Sequence, residues 1–125
     1  MTKPTTFLSA TAACAVSCAL LVAAPAYADI DNYKIADLLS PCVEGDNDSR
    51  GGAVLELECE QYVAGFTDLY VRAGLAKKDG VCLPDLNRDD EVRWAFMRWA
   101  HENYGERGKP AVDGLLATLK ARFKC

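Results

Sequence analysis

The chain has 125 residues, with 14 bases against 18 acids for a net charge of −4. One domain is the expectation at this length. The acidic balance argues against nucleic acid and against an anionic membrane surface, and it suits a soluble protein with a basic partner.

The first 28 residues stand apart from that domain. Lys3 is the one charge before a run from Phe7 to Ala24 that carries none and is rich in Ala, Leu and Val. Ala26-Tyr27-Ala28 then forms a small-x-small cleavage pattern ahead of Asp29. That order is a secretory signal peptide cleaved after Ala28. A membrane span fits less well, because the run is Ala-rich and no Lys or Arg stop-transfer cluster follows it. Lipidation at Cys14 or Cys18 would need an aliphatic residue three positions earlier, where Thr11 and Ala15 stand.

The expected mature domain, residues 29–125, has 97 residues, 18 acids and 13 bases, a net charge of −5. It keeps four cysteines, Cys42, Cys59, Cys82 and Cys125. A core of this size is marginal without help, and disulfides are the expected help in an exported chain. Each typically contributes about 2–4 kcal/mol, mainly by restricting the unfolded chain.

In chain order, Asp29 to Leu39 reads as a short leading helix that Ser40-Pro41 ends, since the residue before proline avoids the helical region. Glu44 to Gly52 reads as a polar, Gly-rich loop. Ala53 to Ala73 is the main helix. Leu55, Cys59, Tyr62, Phe66, Leu69 and Ala73 recur at steps of four and three and predict its buried stripe, widened by Val63 and Tyr70. Gly65 is expected to let another helix approach closely, and Gly74 to end the segment.

Leu75 to Val81 reads as a connector, and Cys82-Leu83-Pro84 as a rigid link. A third helix follows, with Asp89, Asp90 and Glu91 matching the dipole of its first turn. Val92, Ala95, Phe96, Trp99 and Asn103 mark its inner face, and Trp94, Arg98 and His101 lie off it. Tyr104 to Lys109 is a flexible, glycine-flanked turn. Pro110 suits the first position of a last helix, whose buried stripe is Val112, Leu115, Leu116, Leu119 and Phe123. The fold class is all-α: a small disulfide-stapled bundle of three main helices plus a short N-terminal one.

The cysteine gaps of 17, 23 and 43 residues exclude the close pairs of a zinc or redox motif. Of three possible pairings, Cys42 with Cys59 and Cys82 with Cys125 are favoured. The first would pin the leading helix to the main one, the second the chain end to the Cys-Leu-Pro link. Asp85, Asn87 and Asp89 have the spacing of a calcium loop, but Asp90 stands where it needs glycine and Phe96 where it needs a carboxylate. Capping by Asn87 accounts for the same residues. Asp46-Asn47-Asp48 fails the same test at Leu57. His101 is the only histidine, and no serine or cysteine nucleophile shares its segment. The acidic runs Glu56, Glu58, Glu60 and Asp89, Asp90, Glu91 read as solvated faces. No catalytic residue, metal ligand or cofactor is expected, and the chain reads as a binding module rather than an enzyme.

Several landmarks fall in a fixed order. Leu38-Leu39-Ser40-Pro41-Cys42 comes first, then Cys59, Tyr62 and Gly65 as Cys-x-x-Tyr-x-x-Gly. Val81-Cys82-Leu83-Pro84 follows, then Val92 in an aromatic-bearing helix, then Leu119, Phe123 and Cys125 as a terminal Leu-x-x-x-Phe-x-Cys. In these the chain resembles the Rap/Tai family, immunity proteins against amidase effectors of type VI secretion. The resemblance implies a small periplasmic helical protein that binds a cognate peptidoglycan amidase and blocks its active-site cleft, in the family often as a dimer. Two departures stand out. Lys124 replaces the proline common before the last cysteine, and His101-Glu102-Asn103 replaces a His-Pro after the third helix.

The altered loop after that helix is where an inhibitor specialises. Tyr104, Glu106 and Arg107 are therefore the expected partner-binding residues, an aromatic anchor with charges on a protruding turn. No nucleic acid, and no membrane once the signal is cleaved, is expected. The alternative is a periplasmic helical binding module or acid-stress chaperone without a toxin partner.

Overall fold

A computed structural model describes residues 33–47 and 51–125. The expected signal peptide and the residues 29–32 of the expected leading helix lie outside them. Five α-helices follow in order: α1 (Ile35–Asp46), α2 (Gly52–Arg72), α3 (Leu75–Asp79), α4 (Arg88–Glu102) and α5 (Ala111–Arg122). A 3-10 turn at Tyr104–Glu106 joins α4 to α5. No named strand occurs among the described residues. Two isolated antiparallel bridges, Lys34 with Pro110 and Val81 with Lys124, tie loops together. The all-α expectation holds.

The leading helix differs from its expectation, because α1 runs straight through Pro41. Proline cannot donate to the carbonyl four residues back, which here is that of Asp37. The Tyr33 hydroxyl donates to that carbonyl at a long 3.4 Å. Burial of Ile35, Leu38, Leu39, Pro41 and Cys42 on one face of α1 supplies the stabilisation that local preference lacks. At the start of α1, Asp37 Oδ2 accepts the Lys34 backbone N–H at 2.8 Å. The next two free N–H groups, of Ile35 and Ala36, donate to the carbonyls of Lys109 and Arg107 at 2.9 and 3.1 Å.

The main helix lies where expected, but its core stripe is rotated. Cys59, Val63, Thr67 and Tyr70 are buried. Leu69, expected inside, is 68 % exposed, Ala73 is exposed, and Tyr62 and Phe66 are half-buried. Apolar residues nearly encircle α2, so spacing alone centres the stripe ambiguously. Thr67 is a polar residue inside it, and its Oγ1 lies 2.9 Å from the Val63 carbonyl and 3.1 Å from Asp89 Oδ1 on α4.

Gly65 is not the close-packing notch, since a Cβ there would meet nothing within 4 Å. Two other glycines hold that role. A Cβ on Gly45 of α1 would come within 2.8 Å of the Glu56 backbone on α2, and one on Gly114 of α5 within 2.6 Å of Ile35. The expected loop from Glu44 is correspondingly shorter, because α1 continues to Asp46.

Gly74 does end the main helix, in the left-handed conformation at φ 72°. The expected connector after it contains the short helix α3. Asn87 precedes α4 but makes no side-chain capping bond, and its φ is 51°. The inner face of α4 is Val92, Arg93, Phe96 and Ala100, while Ala95, Trp99 and Asn103 are half-buried. Pro110 is the residue before α5 rather than its first. The buried face of α5 is Ala111, Gly114, Leu115, Thr118 and Leu119, with Val112, Leu116 and Phe123 half-buried.

Both favoured disulfides are present, Cys42–Cys59 and Cys82–Cys125. The first is completely buried between α1 and α2. The second is exposed and fastens the chain end, helped by bonds from Cys82 N to the Phe123 carbonyl (2.8 Å) and from Cys125 N to the Gly80 carbonyl (3.0 Å).

Candidate partner-binding surface

Tyr104, Glu106 and Arg107 stand together on the 3-10 turn after α4, but the turn is not loose. Arg107 Nε donates to the Ala100 carbonyl at 2.9 Å, an acceptor in the last turn of α4. Its Nη2 lies 3.1 Å from His101 Nδ1, and its guanidinium sits over the Tyr104 ring, 4.6 Å from the centroid. Glu106 pairs with Lys109 and raises the pKa of that ammonium. The carbonyls of Arg107 and Lys109 meanwhile cap α1. The turn is thus a fixed joint between α4, α1 and α5, with Tyr104 projecting from it at 75 % exposure. His101 is an exposed helix residue beside that joint.

Sequence reasoning did not single out Arg93. Its side chain, on α4, is buried within reach of three carboxylates: Asp46 of α1 at 3.4 Å, Glu56 of α2 at 3.6 Å and Asp90 at 3.7 Å. Its Nε and Nη1 have no hydrogen-bond acceptor among the described residues. Arg93 therefore ties three helices by charge rather than by close hydrogen bonds. Its one legible signal was its place next to Val92 on an otherwise apolar face.

Further polar ties brace the frame. Arg88 bridges Asp68 of α2 and Asp89, both at 2.9 Å. Tyr70 donates to Asp79 at 2.9 Å, and burial with that bond pushes the tyrosine pKa up to about 12. The same bond, with Lys120 of α5 at 3.2 Å, lowers the pKa of Asp79. Tyr33 donates to Glu58 at 2.8 Å, and burial first and this bond second raise its pKa.

Several clefts open on the surface, among them one of about 430 Å³ between α2 and the start of α4, walled by Glu60, Gln61, Ala64, Asn87 and Asp90, and two others. One, of about 510 Å³, is walled by Val71, Ala76, Val81, Leu83, Pro84 and Arg88. The other, of about 220 Å³, lies between the outer face of α4 and the end of α5, among Glu91, Trp94, Arg98, Arg122 and Phe123. None of the three gathers a nucleophile with a base. No group of three metal-ligating side chains is found among the described residues, and no helix there is long and apolar enough to cross a membrane. The surface presents Trp94, Arg98 and Tyr104 outward on a braced frame.

No curated protein and no solved structure matches the chain. The family model of Rap1a immunity proteins matches from Lys34 to Cys125, the stretch that holds all five helices and both disulfides. The chain belongs to the Rap1a immunity protein family.

Proposed function

We propose that the chain is a periplasmic immunity protein that binds a peptidoglycan amidase effector of type VI secretion and occludes its active site. The observation that carries this reading is the family match across residues 34–125. An immunity protein acts by holding a cognate effector, and occlusion needs a rigid surface rather than a reactive one. The disulfides and the Arg93 tie supply rigidity at modest size. The signal-like segment of residues 1–28 supports export, with cleavage after Ala28.

In this reading Tyr104 enters the amidase cleft as an aromatic anchor, with Arg107 stacked on it and Glu106 at its flank. A fixed turn suits this, since less conformational entropy is lost when a contact is ordered in advance. The mature protein, mixed with the amidase encoded beside its gene, should form a stable complex and suppress hydrolysis of peptidoglycan. Absence of both effects ends the reading. Protection of unrelated client proteins at low pH, without an amidase complex, would instead establish the chaperone alternative.

A further inference from the structure

We propose that the Cys82–Cys125 disulfide is a thiol–disulfide exchange site, which a dithiol reductant opens to unlatch the chain end while Cys42–Cys59 stays closed. The inference does not depend on the effector-binding reading.

Access separates the two bridges. Cys42 and Cys59 are 0 % exposed, sealed between α1 and α2. Exchange begins with attack of a thiolate on a disulfide sulfur, and these sulfurs can be reached only if the two helices part. Cys82 and Cys125 are both exposed, and neither lies in a helix. Cys82 stands in the link between α3 and α4, and Cys125 three residues past the end of α5. A thiolate therefore meets this bridge in the folded protein. Exposed disulfides are the labile ones, whereas buried ones resist reduction.

Charge adds to access. The segments that the bridge joins, residues 72–85 and 119–125, carry six bases: Arg72, Lys77, Lys78, Lys120, Arg122 and Lys124. Against them stand two acids, Asp79 and Asp85, and even with a terminal carboxylate at Cys125 the balance stays positive. Lys120 pairs with Asp79 and Arg122 with Glu102. Arg72, Lys77, Lys78 and Lys124 are exposed and have no ion pair among the described residues. Lys124 adjoins Cys125 and bridges to Val81, the neighbour of Cys82. In a domain with five more acids than bases, this end has the opposite sign. Positive surroundings attract an incoming thiolate and stabilise the one that leaves.

The exchange runs in two steps. One thiolate of the dithiol attacks the Cys125 sulfur, forms a mixed disulfide and releases Cys82 as a thiolate. The second thiol of the reductant then displaces Cys125 and closes the reductant's own disulfide. Two electrons pass to the bridge, and the two protons of the dithiol end on Cys82 and Cys125. The open end is then held by the bonds from Cys82 N to the Phe123 carbonyl and from Cys125 N to the Gly80 carbonyl. Such terminal bonds fray, yet they keep the two thiols near each other for reclosure by a disulfide oxidant. Val81 and Leu83, on either side of Cys82, wall the cleft of about 510 Å³, so opening the bridge loosens one side of that cleft.

The test treats the mature protein with limiting dithiothreitol, traps free thiols by alkylation and maps them by mass spectrometry. Cys82 and Cys125 should be labelled at least about tenfold faster than Cys42 and Cys59, with the helical circular dichroism unchanged. Amide exchange should rise at Cys82 and Cys125 and stay slow at Val63 in the core. Lys77→Glu combined with Lys124→Glu should slow the opening several-fold, and added salt should shrink that difference. Opening of both bridges at one rate, or of Cys42–Cys59 first, overturns the inference. Loss of helix as Cys82–Cys125 opens overturns it too, since the bridge is then a staple of the fold rather than a latch. An unchanged rate in the doubly substituted protein overturns the part given to the basic surroundings.

Discussion

Arg93 and Arg98 stand five residues apart on one helix in opposite surroundings. Arg93 is 5 % exposed and held among carboxylates from α1, α2 and α4 itself. Arg98 is exposed and has no ion pair among the described residues, beside the half-exposed Trp94. The inward side of α4, with Val92, Phe96 and Ala100 completely buried, organises the bundle. The outward side, where Trp94 and Arg98 are exposed, contributes little to holding it. Residue type does not separate the two roles. What separates them is whether other helices bring acids to the arginine and exclude water around it.

Substitutions can break that contrast, beginning with the inward side. Phe96→Ala empties the centre of the core and should cost about 3–5 kcal/mol of stability, read by denaturant unfolding. Arg93→Ala should cost less, roughly 1–3 kcal/mol, because the three carboxylates it leaves behind are partly solvated. Arg93→Met should recover part of that loss by keeping the packing. If Arg93→Ala is neutral, the tie is ornamental and the contrast on α4 fails on its inward side.

A smaller effect comes from pH, at a tie that touches neither face. Tyr70 is held protonated by burial and by its bond to Asp79, with its pKa raised to about 12 from the ordinary 10. The stabilisation is therefore complete below pH 10 and is lost as the pH rises through about 12. Asp79 has the opposite sign. Its pKa is lowered, so its contribution is present above the ordinary carboxylate range and fades as acid protonates it. Tyr70→Phe should flatten the alkaline loss in a series of melting curves. The smallest stability changes belong to the outward side: Trp94→Ala and Arg98→Glu should stay within about 0.5 kcal/mol of the parent, so that any loss of binding by them is not a loss of fold.

Much of the frame was legible in the sequence. The helical class and the position of the main helix follow from the spacing of apolar residues. The cysteine pairing was favoured among three by which segments needed pinning, and the structure decided it. Misreadings arose where a local preference met a long-range contact. Pro41 should stop a helix, yet α1 passes through it because its flanking residues are buried against the rest of the bundle. Gly65 and Gly114 look alike in sequence, but only Gly114 has Ile35 above it. The turn at Tyr104 to Lys109, flanked by glycines, reads as loose, yet its carbonyls cap α1 from more than 70 residues away in sequence. The off-face position of Trp94, Arg98 and His101 was readable. That Glu102 pairs with Arg122 of α5 was not, since the two are 20 residues apart in sequence.

By itself the sequence determined a small all-α domain, the four cysteines available for its disulfides and the landmarks that resemble one immunity family. These depend on local periodicity, on cysteine count and on residues in a fixed order. Only the tertiary structure decided which side of each helix faces inward and which arginine is a tie and which is free. A period of 3.6 residues leaves the centre of an apolar stripe uncertain by about one position when apolar residues surround the helix. Charge pairing depends on carboxylates brought from distant segments, and no spacing along the chain announces them.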